Sequence, residues 1–179
     1  MEPPRIDAVA FDLGGVLIDW DPRYLYRTLF DDEAAMEEFL ATITTPEWNL
    51  AQDAGRPWAE AIDELRSTPV GLYALSNWSG ETFPLARPRY AFLEWFDGIV
   101  ISGDENVIKP DPRIFRVLVD RYGLEPGSTV FVDDHEPNIR AAAELGFRGI
   151  QFVDADALRV ELRALGLPIA AAAGTVAPR

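Results

Sequence analysis

Residues 8–17 read AVAFDLGGVL, and this stretch decides the fold because an apolar run ends abruptly in an acid. Asp12 follows Ala8–Phe11, and Gly14 and Gly15 come almost directly after it. An ionised carboxylate is rarely placed against a core without a partner, and glycine lets the backbone turn tightly or approach a ligand. Taken alone, the stretch fits two interpretations equally well: a reactive or metal-binding centre, or a strand end with a solvated acid and a glycine turn.

Two further apolar runs also end in polar residues. The run VGLYAL stops at Ser76 and Asn77, and the run TVFV stops at Asp133 and Asp134. Neither run alternates polar with apolar residues, which is typical of strands covered on both faces of a parallel sheet. Because ligands bind beyond the carboxyl ends of the strands in such sheets, we expect these polar side chains and Asp12 to meet along one edge.

The whole pattern predicts an α/β fold: a doubly wound, parallel five-stranded sheet, Rossmann-like, with a small helical cap inserted after the first strand. The predicted strands are Ala8–Phe11, Val70–Leu75, Gly98–Ile101, Thr129–Val132 and Gly149–Phe152. Helices are predicted at 22–30, 32–43 and 57–66, from Pro112 to Gly123, from Pro137 to Gly146, and at 155–165. Residues 1–20 and 57–167 then form the core, 21–56 a reduced helical cap, and 168–179 a flexible C-terminal tail. The helix at 57–66 supplies the crossover that parallel strands need.

Lys109 is the only lysine of the chain, and the other basic side chains are arginines. It stands in an apolar, turn-like setting, VIKP. One explanation is a composition biased toward arginine. We favour another, in which a flexible point charge is directed inward, where a planar guanidinium would not serve.

Composition excludes several classes of function. The net charge is −14, which repels nucleic-acid backbones and anionic lipids, so neither nucleic acid nor a membrane is an expected partner. The chain has no cysteine, hence no disulfide and no thiolate zinc site. Its first residues do not resemble a signal peptide and no run is long enough to span a membrane, so a cytoplasmic location is expected.

Four motifs in order make the sequence resemble the haloacid dehalogenase superfamily of hydrolases. They are FDLGGVL with Asp12, LYALSN with Ser76, VIKPDPRIF with Lys109, and VFVDDHEPNI with the pair Asp133 and Asp134. Each motif alone is weak, but four in order, each at its predicted strand end or loop, are specific. The resemblance covers nearly the whole chain.

The resemblance implies a magnesium-dependent phosphatase of small phosphorylated metabolites. Asp12 would be the nucleophile and form an aspartyl-phosphate, with Lys109 as the second catalytic residue. Ser76, the backbone at Asn77 and Lys109 would bind the phosphoryl oxygens. The implied Mg²⁺ ligands are Asp12, the Gly14 carbonyl and Asp134, with Asp133 as a ligand or a supporting acid. Asn138 is a candidate for orienting the acids or the lysine, and His135, the only histidine, is expected to be a surface residue without a role.

Two departures from the family pattern matter. Gly14 stands where most phosphatases of the superfamily carry an aspartate that protonates the leaving group. The proton donor is therefore unassigned, and the candidates are Asp19, Asp21 and water. The insertion between the first two motifs is also short, which predicts a reduced cap and an open site. Apolar surface left uncovered there would favour a homo-oligomer.

Two alternative functions stay open at this point. The first is a hydrolytic 2-haloacid dehalogenase, which uses the same aspartate on carbon without a metal; the pair Asp133 and Asp134 speaks against it. The second is a catalytically degenerate family member that binds a ligand or a partner, which the missing acid and the short cap suggest.

Overall fold

The computed structural model describes residues 5–18, 32, 34 and 58–169, and its centre is a sheet of five parallel strands. The strands are β1 (Ala8–Phe11), β2 (Gly71–Ser76), β3 (Gly98–Ile101), β4 (Thr129–Asp133) and β5 (Arg148–Gln151). Their spatial order is β3-β2-β1-β4-β5. The predicted α/β class with a parallel five-stranded sheet is confirmed. Two strands run one residue further than predicted, so that Ser76 and Asp133 belong to the sheet.

Helices connect the strands. In the described part of the chain they are α1 (Trp58–Arg66), α2 (Phe83–Ala86), α3 (Ser102–Glu105), α4 (Pro112–Tyr122), α5 (Glu136–Glu144) and α6 (Ala155–Ala164), with 3₁₀ turns at Arg87–Arg89, Ala91–Trp95 and Pro126–Ser128. The four longer helices lie where they were predicted, with ends shifted by one or two residues. The short helices and turns were missed because elements of one turn show no hydrophobic period.

Helices cover both faces of the sheet. On one face Val9 and Phe11 of β1 pack in a cluster with residues of α1 and α6, among them Leu65 and Leu162. On the other face the sheet, α4, α5 and the residue before β5 contribute the buried side chains Ala10, Leu75, Val100, Ile114, Phe115, Leu118, Phe131, Ala142 and Phe147. This two-sided burial explains why the strands read as continuous apolar runs.

The predicted cap at 21–56 lies outside the described residues, apart from 32 and 34. The predicted tail at 168–179 lies outside them from residue 170 onward. Among the described helices, none is long and apolar enough to cross a bilayer.

The register of the sheet brings the predicted site residues to one edge. Phe11 of β1 pairs with Ala74 of β2 on one side and with Val132 of β4 on the other. Asp12, Ser76 and Asp133 therefore lie at the carboxyl ends of three adjacent strands.

Candidate active site

Asp12 is the residue directly after β1, at the carboxyl edge of the sheet. Its backbone N–H donates to the Val132 carbonyl at 2.8 Å, and its Oδ1 accepts from the N–H of Leu13 at 2.7 Å. Only 9% of the residue is exposed. The carboxylate is thus held by the backbone and reaches solvent through a small opening.

Lys109 lies between two of the acids. Its Nζ is 2.9 Å from Asp12 Oδ2 and 2.7 Å from Asp133 Oδ2, and its side chain is 0% exposed. The ammonium also lies 5.6 Å from the centroid of the Phe131 ring, within range of a cation–π contact. A buried cation with two carboxylate partners is compensated, whereas loss of the cation would leave two buried carboxylates without a partner charge.

Asn77 holds the backbone of Lys109 from across the edge. Its Oδ1 accepts from the Lys109 N–H at 2.8 Å, and its Nδ2 donates to the Lys109 carbonyl at 3.1 Å. The resemblance implied a phosphate-binding role for the backbone at this position. The geometry adds a positioning role for its side chain, which sequence analysis missed because the partner is 32 residues away.

Asp133 is fully buried, and both of its oxygens are in use. Oδ1 accepts from the His135 N–H at 2.8 Å, and Oδ2 accepts from Lys109. Asn138 Nδ2 donates to both oxygens, at 2.9 and 3.0 Å. Asn138 thus orients this acid, while the His135 side chain is exposed. The buried amide oxygen of Asn138 has no hydrogen-bond partner among the described residues.

Asp134 is half-buried and lies against the turn after β1. A Cβ built on Gly15 would stand 2.5 Å from Asp134 Oδ2, and the φ angle of Gly15 is +76°. Both facts require glycine at this position, since a side chain would meet the carboxylate and strain the backbone. The sequence signal was the double glycine, of which only Gly14 was assigned a role.

Asp12, Asp133 and Asp134, which we call the acid cluster, are suited to a metal ion. One carboxylate oxygen from each lies within 4.8 Å of the others. Three carboxylates face a single ammonium, so the described charges sum to an excess of two negative. A set of hard oxygen donors with this excess fits a divalent cation such as Mg²⁺.

Burial raises the pKa of Asp12 to about 6; Lys109 acts to lower it and Asp133 to raise it. Burial and the neighbouring Asp133 also raise the pKa of Asp134. Both shifts express the same cost, which is that negative charges are crowded into a site of low polarity.

Comparison with known proteins agrees with this geometry. A family model described as a hydrolase, haloacid dehalogenase-like hydrolase, matches residues 53–146, more than half of the chain. The chain belongs to the haloacid dehalogenase-like hydrolases. The matched range of this family includes Ser76, Lys109 and the acid pair and begins after Asp12.

Relatives within the family have different activities. A sesquiterpene phosphatase of Aspergillus oryzae is 25% identical over 88% of this chain and 95% of its own length. An (S)-2-haloacid dehalogenase of Burkholderia cepacia is 28% identical over 52% of this chain and 40% of its own length. The structure of a haloacid dehalogenase family enzyme from Bacteroides thetaiotaomicron, in complex with magnesium and inorganic phosphate, superposes with a TM-score of 0.59 at 20% identity. That match covers 84% of this chain and 96% of the other, and it supports the fold.

Proposed function

We propose that the chain is a magnesium-dependent phosphatase that hydrolyses small phosphorylated metabolites with Asp12 as the nucleophile. The observation that carries the proposal is the ion arrangement at the sheet edge, where a buried ammonium joins Asp12 to Asp133 and a third carboxylate lies beside them. The alternative, a hydrolytic dehalogenase, would use the same aspartate on carbon without a metal. The third carboxylate, Asp134, has a role if the site holds a divalent cation.

The metal ligands in this proposal are Asp12, Asp134 and the Gly14 carbonyl. Asp133 contributes charge and holds Lys109, because its oxygens already accept hydrogen bonds from Lys109, Asn138 and the His135 backbone. A bound Mg²⁺ would neutralise the phosphate and so let an anionic nucleophile approach it.

The chain's own residues then divide the remaining work. Ser76, buried at the end of β2, donates a hydrogen bond from its hydroxyl to a phosphoryl oxygen. The backbone N–H of Asn77 and the ammonium of Lys109 bind the other oxygens and stabilise their charge in the transition state.

The reaction proceeds in two displacements. A carboxylate oxygen of Asp12 bonds to phosphorus while the bond from phosphorus to the alcohol oxygen breaks, and the alcohol takes up a proton. Water then attacks phosphorus, the acyl phosphate bond breaks, and inorganic phosphate leaves with Asp12 regenerated. Gly14 cannot supply the proton in the first displacement, and Asp19 and Asp21 lie outside the described residues. Without a positioned acid, poor leaving groups should react about 10²–10⁴-fold more slowly.

Phosphate release from a panel of phosphorylated metabolites tests the function. We expect release that needs added Mg²⁺, stops with excess chelator, and is absent in Asp12→Asn. Equal release by wild type and Asp12→Asn would remove Asp12 as the nucleophile. Dehalogenation of 2-haloacids that survives the chelator would favour the alternative enzyme, and no turnover of either class would favour a binding protein.

The reduced cap belongs to the same proposal. The alignment with the Aspergillus phosphatase extends over 193 positions, more than the 179 residues of this chain, so that relative has residues without a counterpart here. A core left partly uncovered would expose apolar surface and favour self-association. Sedimentation together with binding of a hydrophobic dye tests this, and a monomer that binds no dye would contradict it.

A further inference from the structure

A cleft opens on the β2 and β3 side of the same sheet edge. Its volume is about 620 Å³, and it is lined by the loop after β2, the turn containing α3, and the segment from Val107 to Arg113. A cleft of this size can hold a small organic molecule.

The cleft adjoins the reacting groups through Asn77. Asn77 lines the cleft and also binds both backbone polar groups of Lys109, whose ammonium contacts Asp12. Asn77 therefore connects the lining of the cleft to the lysine that contacts the candidate nucleophile.

The walls of the cleft are neutral and partly apolar. Val107 and Trp78 are half-buried, and Ile108 is 60% exposed. The two charged lining residues, Asp111 and Arg113, neutralise each other through an ion pair of 2.7 Å. Covering an exposed isoleucine removes apolar surface from water and lowers the free energy, so this wall favours an apolar group.

The wall is also held in place. The Trp78 carbonyl accepts from Ser102 Oγ at 3.2 Å and from the Gly103 N–H at 3.0 Å. A Cβ on Gly103 would stand 2.2 Å from the Gly80 nitrogen, so the two loops approach as closely as glycine permits. Both loops are thus fixed to each other before any ligand binds.

We propose that this cleft binds the leaving group of the substrate and selects uncharged alcohols with an apolar face over alcohols with a second anionic group. The inference rests on the proposed phosphatase function and names its substrate class. The net charge of −14 repels a second anionic group, and the arginine that lines the cleft, Arg113, is already paired with Asp111.

Three primary alkyl phosphates with similar leaving-group chemistry test the proposal: cyclohexylmethyl phosphate, glycerol 3-phosphate and 3-phosphoglycerate. We expect kcat/KM for the cyclohexylmethyl ester to exceed the other two by about tenfold or more. Ile108→Ser should lower that ratio about five- to tenfold, mainly through KM, and Ile108→Leu should retain it. Val160→Ser removes an equally exposed apolar side chain from α6, outside the cleft, and should leave the ratio unchanged.

The outcomes separate this inference from the function it rests on. Three results would overturn the proposed role of the cleft and leave the phosphatase function intact. They are turnover without an apolar preference, a preference for 3-phosphoglycerate, and equal kcat/KM ratios in Ile108→Ser and Val160→Ser. If neither these esters nor the metabolite panel releases phosphate, the phosphatase fails, and calorimetric binding of cyclohexylmethylphosphonate then tests the cleft. Binding that Ile108→Ser weakens supports the cleft, and binding that is absent or insensitive to Ile108→Ser overturns it.

Discussion

The carboxyl edge of the sheet has two unlike halves. At β1 and β4 three acids and one lysine are packed together, and the lysine and Asp133 side chains are 0% exposed. At β2 and β3 the edge carries an open, neutral cleft with an exposed isoleucine. One half concentrates charge and the other avoids it.

In the proposed phosphatase, this difference divides two demands between the two halves. Crowded charges in a site of low polarity act strongly on a reacting phosphate, but they make the folded protein less stable. A neutral cleft adds no such cost and can vary with the substrate. Asn77 belongs to both halves, because it lines the cleft and holds Lys109.

The largest expected effect is on activity, from Asp12→Asn. The amide keeps the shape of the side chain and removes the proposed nucleophile, so phosphate release should fall by about 10⁴-fold or more. A steady-state phosphate assay on correctly folded protein measures this. A loss of less than about tenfold would show that another group attacks phosphorus.

Substitution of Lys109 should affect both activity and stability. In Lys109→Met two buried carboxylates lose their cation, and the free energy of unfolding should fall by about 3–5 kcal/mol. Lys109→Arg retains the charge, but its planar fork does not fit between two single oxygens, and kcat should fall by about 10²-fold or more. Urea denaturation and kinetics measure the two effects. Wild-type activity in Lys109→Arg would contradict the need for a compact ammonium group.

The pH dependence of stability tests how much free energy of folding is lost by burying the Asp12 carboxylate among the other acids. The folded-state pKa of Asp12, about 6, lies above its ordinary value of 3.8, so its ionisation opposes folding. This penalty is absent below the ordinary value of 3.8, grows as the pH rises from there toward the folded-state value of about 6, and is complete above it. Without Mg²⁺ at pH 7, Asp12→Asn should therefore be more stable than wild type, by up to about 3 kcal/mol.

Denaturation of both proteins from pH 4 to pH 8, with chelator, measures this difference. It should shrink toward pH 4, and saturating Mg²⁺ should reduce it by stabilising the wild type. Wild type that is more stable than Asp12→Asn at pH 7 in chelator would show that Lys109 more than compensates for the burial of the carboxylate.

Asn77→Ala should have a moderate effect that connects the two halves. Loss of both hydrogen bonds to the Lys109 backbone lets the ammonium move, and kcat should fall by about tenfold with a smaller change in KM. Asn77→Ser retains one hydrogen-bonding group and should recover part of the loss. An increase of KM alone would indicate that the Asn77 side chain contacts the substrate instead.

The smallest expected effect is on metal affinity, from Gly15→Ala. The new Cβ would meet Asp134 Oδ2, so Mg²⁺ binding should weaken by about three- to tenfold. Gly166→Ala is a matched control, because its φ of +88° imposes a comparable backbone strain while nothing lies within 4 Å of the added Cβ. Calorimetric Mg²⁺ titration of both variants measures the difference. Equal affinities would remove Asp134 from the metal site.

Much of the edge could be predicted from local signals. The runs that end at Asp12, Ser76 and Asp133 do not alternate polar with apolar residues, which indicates strands covered on both faces. Parallel strands with helical crossovers then bring their carboxyl ends together at one edge. Lys109 stood out as the only lysine in an apolar turn, and it is buried. The short helix α3, which lines the cleft between β3 and α4, was missed, because a one-turn helix carries no hydrophobic period.

By itself the sequence determined the α/β class, the strands and the residues at the edge, because hydrophobic period and turn residues act over a few neighbours. Only the tertiary structure decided what those residues do to one another. The two bonds from Asn77 to Lys109 join positions 32 apart, the ammonium joins acids of two strands, and Gly15 makes room for Asp134. Contacts of this kind depend on how separate strands are aligned in space, and no local pattern in the chain encodes that alignment.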